Sequence, residues 1–319
     1  MDELRTKDPH DRFFKTVMAD PRNVKDFIKE FLPHEVSREI DLTHVKHLPT
    51  ERMNKNAKYC MDLAVECNVG GEKTQIYFVF EHKSYPDDRI LLQILGYMYA
   101  IWEEQKRKNQ PLTPIIPVVV YHGSQSWNIT RSFSEQFHKL HEVVKPYMPE
   151  FNYILVDLTL LGDEEIWQKA KENPFLAGAL WAMKCASLQK LGEIRPKAGI
   201  IITSDDEKTI ILEYLIHTLD VPEEIMSEIA KGLGGEEVMP SLAEKLEKRG
   251  ELKGKEIGKE IGKIEAKRST LIKLLKRKFG LTLAEEEELR SVTDEAKLEA
   301  ALDMILDAKD KSEVLRTLG

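Results

Sequence analysis

Two alternating apolar segments separated by a glycine pair constrain this chain more than any other feature. NAKYCMDLAVECNV (residues 56–69) runs into Gly70-Gly71, and EKTQIYFVFEHKS (residues 72–84) runs back. A period of two places alternate side chains on opposite faces of a strand, and a glycine pair between two such runs marks a hairpin. With Gly70 and Gly71 as a two-residue turn, Val69 faces Glu72, Asp62 faces Val79 and Glu81 faces Cys60. Asp62, Glu81 and Lys83 then project from one face, Asp62 and Glu81 as diagonal neighbours with Cβ atoms roughly 7–8 Å apart. The second strand continues through a proline turn into a helix, FVFEHKSYPDDRILLQILGYMYAIWEEQ (residues 78–105), which brings Gln93 and Tyr97 back towards Glu81 and Lys83.

Two carboxylates at that spacing suit one hard cation. Magnesium takes one or two protein carboxylates and leaves its other positions to water and phosphate. A neighbouring lysine orients or deprotonates an attacking water, or stabilises the negative charge that develops. Metal-assisted phosphodiester hydrolysis uses these parts. The pattern Glu-x-Lys alone carries little, since it recurs at Glu104–Lys106, Glu251–Lys253, Glu265–Lys267 and Glu295–Lys297. Only Glu81 follows an apolar strand paired with a second strand that carries an acid.

The remaining pattern predicts an α/β core followed by helices. Residues 8–32 place Phe14, Val17, Met18, Val24, Phe27, Ile28 and Phe31 at helical spacing, and Pro33 closes this helical pair. RILLQILGYMYAIWEEQKRK predicts a helix, PIIPVVVYHG a buried strand ending in a glycine turn, and FNYILVDLTL a further strand after a helix that includes EQFHKLHEVV. Residues 163–246 are mostly helical in pattern. Beyond them RGELKGKEIGKEIGKIEAKR spaces Gly250, Gly254, Gly258 and Gly262 by four. Glycine costs about 1 kcal/mol relative to alanine inside a helix, so the repeat is either a helix packed closely in an oligomer or a charged linker. The expected division is a nuclease-like domain over residues 1–160, a helical region over 161–246, and a glycine- and lysine-rich helical tail over 247–319 with an acidic cap.

The chain has 319 residues and a formal net charge of −8, which by itself argues against a nucleic-acid binder. That sum conceals a bipolar tail: residues 241–279 carry 13 Lys and Arg against 6 Asp and Glu, and residues 280–319 carry 5 against 11. The lysines of the first part offer contacts to phosphates. The N-terminal residues are charged and lack the apolar stretch of a secretory signal, and IYFVF and PIIPVVVY are too short to span a bilayer. Cys60, Cys67 and Cys185 have no metal-binding spacing, which points to reduced thiols and a cytoplasmic protein.

Asp62, then Glu81-His82-Lys83, then a helix with Gln93 and Tyr97, resembles the PD-(D/E)XK nuclease core. HDRFFKTVMADP (residues 10–21), DLAVE, FVFEHKS, LLQILGYM and IIPVVVYHG occur in the order found in the Rpn family of recombination-promoting nucleases, also described as YhgA-like transposases. The resemblance covers about residues 8–160. It implies a restriction-endonuclease-like fold, a central mixed sheet flanked by helices, and a DNA endonuclease dependent on magnesium, with manganese as a substitute. Asp62 and Glu81 would be the metal ligands, Lys83 the catalytic lysine, Gln93 a positioning group for water or DNA, and Tyr97 a support for that helix face. Met61 stands where the nuclease pattern has proline, a departure that removes no ligand. The partners implied are DNA and a second copy joined through the tail, with no membrane.

Several other residues carry two readings. Asp11 or Glu30 could assist the metal site from the first helices, but an N-cap or surface role is the commoner fate of such acids. Lys15 could meet a phosphate, although a lysine beside two phenylalanines is ordinary amphipathic patterning. His122 ends a buried strand and either approaches the scissile phosphate or makes the turn. His44-x-x-His47 and His138-x-x-His141 lack companion ligands and read as surface histidines. A catalytically silent DNA-binding or assembly protein on the same fold is the competing reading. A strand-joining transposase ranks behind it, because no third carboxylate is placed.

Overall fold

The structure, a computed structural model, describes residues 9–54, 57–70, 74–188, 202–219 and 222–318. The alternating segment before Gly70 forms two strands rather than one. β1 (Ile40–His47) leads into β2 (Glu51–Asn54) and β3 (Ala57–Cys60), which pair only with each other, and β4 (Leu63–Val69) then pairs with β5 (Thr74–Lys83). β6 (Ile115–Tyr121) and β7 (Ile154–Asp157) complete a five-stranded sheet of order β1-β4-β5-β6-β7. The β1/β4 and β4/β5 pairs are antiparallel, and β5/β6 and β6/β7 are parallel, so the sheet is mixed.

The hairpin register differs from the two-residue-turn expectation. Val69 pairs with Thr74 and Leu63 with Phe80, so each β4 residue sits opposite a residue two positions further along β5. Gly70 has φ +57°, and residues 71–73, between it and Thr74, lie outside the described residues. A shift of two leaves the face of every side chain unchanged. It does change the neighbours: Leu63 faces Phe80, and Asp62, in the bend before β4, meets the His82 N–H next to Glu81.

Helices cover both sides of the sheet. On one side lie α1 (Pro9–Met18) and α2 (Pro21–Phe31), whose Phe14 and Phe27 are fully buried and whose Phe27 ring meets Phe80 edge-on at 5.9 Å. Full burial of such a side chain contributes about 1.5–3 kcal/mol. On the other side α4 (Ile90–Arg107) buries Ile90, Leu91, Ile94 and Met98 with Val119, Phe133 and Tyr153. The same helix sets Tyr97 and Ile101 against Met61 and Ala64. A short α3 (His34–Ser37) follows Pro33.

The chain between β6 and β7 has no regular helix at EQFHKLHEVV. Only single 3-10 turns form there, at Ser134–Gln136 and Lys145–Tyr147. The buried Phe133 packs on the half-buried Phe151 and Pro146 blocks continuation, so rings at both ends anchor a loop whose middle is exposed. His138 and His141 are therefore exposed on irregular backbone, and His44 and His47 lie on a strand, where His47 hydrogen-bonds the Met18 carbonyl at 2.9 Å. Neither pair has helical geometry.

The chain divides into two compact units, residues 1–239 and 240–319. In the first, α5 (Asp163–Lys169), α6 (Pro174–Leu188), α7 (Asp205–Thr218) and α8 (Glu223–Gly232) follow the sheet, with α6 and α7 packed on α1 and α6 also on α2. Almost all of the second lies in α9 (Met239–Lys278), which starts at the boundary, and in α10 (Leu283–Ser291), α11 (Glu295–Asp307) and α12 (Lys311–Leu315). Its core joins Leu271 and Leu275 to Leu289, Leu298, Ile305 and Val314. The bipolar charge of the tail is partly matched internally, as Lys267 pairs with Glu295 and Glu299 at 2.9 and 3.0 Å. The whole glycine repeat is helical. A Cβ at Gly258 or Gly262 would meet nothing within 4 Å.

Candidate active site

β5 and β6 run parallel and end together, with Lys83 beside Tyr121 and the His122 N–H donating to the Lys83 carbonyl at 3.2 Å. Open α/β sheets present their chemistry at such carboxyl edges. The two strand ends approach closely there: a Cβ on Gly123 would collide with the Ser84 carbonyl oxygen, so glycine is required.

On the α4 side of β5, Glu81 and Lys83 are both buried, at 5% and 9% exposure. The Lys83 ammonium donates to Asp87 Oδ2 at 2.9 Å and to Gln93 Oε1 at 3.0 Å, and lies 3.3 Å from Glu81 Oε1. Gln93 Nε2 donates to Glu81 Oε1 at 2.7 Å and also to the Tyr97 hydroxyl. Gln93 therefore donates to the acid from its amide nitrogen and accepts from the lysine on its amide oxygen. Asp62 sits in the break between β3 and β4, where its Oδ2 accepts the His82 N–H at 2.8 Å. Its Oδ1 lies 3.0 Å from the Lys15 ammonium, which is also 2.8 Å from Asp11 Oδ1 one turn earlier on α1.

The electrostatics follow from burial and crowding. Burial, reinforced by the nearby Asp62 charge, pushes the Glu81 carboxyl above its ordinary range, against the pull of Lys83. Burial and the Asp62 carboxyl beside it raise Asp11 as well. Burial works to lower Lys83, but Glu81 and Asp87 outweigh it and hold the ammonium above its usual value. Burial and Glu81 likewise keep Tyr97 a neutral phenol.

These residues fit a divalent cation. Among the described residues Asp11, Asp62, Glu81 and Asp87 pair with Lys15 and Lys83, and the Arg89 charge also acts on Asp87, so acids outnumber bases four to three when all are ionised. Among the described residues Glu81 Oε2 is buried and meets no hydrogen-bond partner, and buried acceptors are rarely left so. Among the described residues no three His, Cys, Asp or Glu side chains form a metal-binding group. The carboxylate pair thus suits a cation that takes most of its ligands from water and substrate.

Glu81, Lys83, Gln93 and Tyr97 lie in one hydrogen-bonded cluster, and Asp62 comes to the next residue, His82, from the bend before β4 rather than from a strand. Asp11 joins them through Lys15, whereas Glu30 pairs with Lys29 at 2.9 Å on α2. His122 faces the other side of β5, stacked on His82 with ring centroids 4.6 Å apart and in contact with the Ser187 hydroxyl. Two further participants escaped the sequence reading. Asp87 fixes Lys83, and its signal was the Pro-Asp-Asp turn immediately before α4. His10 lies 5.0 Å from His122, and its Nδ1 hydrogen-bonds the Tyr214 hydroxyl at 2.7 Å, a contact that no local pattern announces.

Residues 8–209 match the family model described as "Putative transposase, YhgA-like". The chain belongs to the Rpn, or YhgA-like, family. The Rpn proteins it resembles include the recombination-promoting nuclease RpnD of Escherichia coli O157:H7, 26% identical over 77% of this chain and 94% of that protein. Another is the inactive recombination-promoting nuclease-like protein RpnE of Escherichia coli K12, 28% identical over 53% of this chain and 56% of that protein. The recombination-promoting nuclease RpnC of the same strain is 23% identical over 50% of this chain and 54% of its own length. The chain thus spans little more than half of RpnE and RpnC. No solved structure matches it significantly. Within the Rpn family, the mixed sheet with helices on both sides is the restriction-endonuclease-like core that its motifs imply. No described helix is long and apolar enough to cross a membrane.

Proposed function

We propose that this protein is a divalent-metal-dependent DNA endonuclease that hydrolyses phosphodiester bonds at the Asp62–Glu81 pair. The observation that carries the reading is the buried, unpartnered oxygen of Glu81 beside Asp62, flanked by a lysine held as an ammonium. A magnesium or manganese ion held by Asp62 and Glu81 would supply positive charge to the phosphate and acidify water.

The protein's own groups do the positioning. The His82 N–H fixes one oxygen of Asp62, and Gln93 fixes one oxygen of Glu81, which leaves Glu81 Oε2 as the open ligand. Lys83 is anchored by Asp87 and Gln93 with its charge beside Glu81. Held as an ammonium, it serves to orient water and to stabilise charge on the phosphate rather than to remove a proton. Tyr97 is buried and neutral, so it is not presented as a nucleophile, and cleavage proceeds without a covalent protein–DNA intermediate. The names of RpnD and RpnC support a role in promoting recombination, and the α9 repeat supports assembly of copies through the tail.

Supercoiled plasmid incubated with Mg²⁺ or Mn²⁺ tests the reading. Wild type should nick it, and Lys83→Ala and Asp62→Ala should each lose at least about 100-fold in rate. Equal cleavage by wild type and Lys83→Ala would remove the site assignment. DNA binding without cleavage under any divalent ion would select the silent binding protein, the reading favoured by the resemblance to RpnE, which is named inactive.

A further inference from the structure

The two lysines of the site are built differently. Lys83 is enclosed by Glu81, Asp87 and Gln93, and its side chain is 10% exposed. Lys15 reaches Asp62 from α1 with a side chain that is 40% exposed and, among the described residues, is held by Asp11 and Asp62. The helix beneath it is fixed, because Phe13, Phe14, Val17 and Met18 are all buried. Lysine carries a compact charge on a flexible stem, so its ammonium can swing while its Cα stays in place.

We propose that Lys15 is a phosphate-positioning residue that exchanges partners when the site is loaded. Without a divalent cation its ammonium neutralises Asp62. Asp62 would hold a divalent cation in place of the Lys15 ammonium, since a doubly charged ion would draw the carboxylate more strongly and repel the lysine. Lys15 then leaves Asp62, stays within reach of Asp11, and turns its solvent-facing charge to a non-bridging oxygen of the DNA backbone. Asp11 acts as the tether that keeps the lysine at the mouth of the site. This assignment rests on the nuclease reading and adds a residue to its substrate site.

The salt dependence of DNA binding reads the exchange directly. Each phosphate neutralised on duplex DNA contributes about 0.9 to the slope of log K against log salt concentration. The affinities of wild type, Lys15→Met and Lys15→Arg for a labelled duplex are measured in the cold, in Ca²⁺ and in EDTA, with the duplex recovered intact. With Ca²⁺ the Lys15→Met slope should be shallower than wild type by about 0.9, with Lys15→Arg close to wild type; in EDTA the slopes of wild type and Lys15→Met should coincide. Melting curves should also show Lys15→Met folded and responding to a lower Mg²⁺ concentration than wild type, since the competing ammonium is gone. Coincident slopes in Ca²⁺ overturn the proposal, as does an equal difference in both conditions, which describes an ordinary surface contact. Wild type that binds no DNA in either condition defeats the nuclease reading itself. Binding whose slope ignores Lys15 defeats only the exchange.

Discussion

His82 carries two duties from one position. Its backbone N–H orients Asp62, while its ring lies on the opposite side of β5 against Phe14, His10 and His122. Burial, with the His10 charge next, drives its imidazole down to about 3, and burial drives His122 well below its usual value. A depressed histidine contributes stability that is complete above its unfolded value of about 6.5 and is lost as pH falls towards its folded value. The protein should therefore lose melting temperature between about pH 6.5 and 4. His82→Phe, which keeps a ring against Phe14 and removes the buried unpartnered Nε2, should lose less. The gap between the two should grow by up to about 1.4 kcal/mol per pH unit over that range. Parallel pH profiles of unfolding in the two proteins would exclude a neutral buried imidazole at this position.

At the level of elements, the strands and helices that bear the site were legible because each has one dominant period. α4 shows apolar positions at helical spacing, and β5 is a continuous apolar run, IYFVF, whose strand period of two assigns Glu81 and Lys83 to one face. Turn length was not legible, since a glycine pair is compatible with loops of two and of four residues. The loop between β6 and β7 misled for a related reason: residues 135–144 have helix-like apolar spacing, but rings packed on either side decide the path. The α9 repeat was open between a helix and a linker and is a helix. At Gly258 and Gly262 nothing within this chain requires the missing Cβ. Gly258→Ala and Gly262→Ala should then each stabilise α9 by up to about 1 kcal/mol in a monomer. If the stripe packs against a second copy, the same changes should weaken self-association instead. Sedimentation beside thermal melting separates the two outcomes.

Across the whole molecule, the carboxylates and lysines of the site all lie within the first 90 residues, yet the unit that holds them extends to residue 239. The reason is the outer face of α1. Phe13 stacks on Tyr214 at 3.9 Å with an interplanar angle of 8°, and His10 bonds the same tyrosine. α6, with Trp181 fully buried, and α7 pack on that side of the sheet. A chain ending at residue 160 would expose this apolar face, and a chain ending at residue 239 would not. The longer one should melt cooperatively, and the shorter should show no cooperative transition and bind hydrophobic dyes. A sharp, reversible transition in the shorter chain would contradict the role given to α6 and α7.

The His10–Tyr214 bond also orders events in time. Its partners are separated by 204 residues, so it closes only after α7 has been synthesised. A growing chain already carries Asp11, Lys15, Asp62, Glu81 and Lys83 by then, but α1, which delivers the first two, still lacks its outer support. Closing so long a loop comes late in folding, after the local hairpin and α4. The complete candidate site would thus arrive as one of the last steps in the birth of the molecule, and a ribosome-bound fragment would hold its residues without their final arrangement.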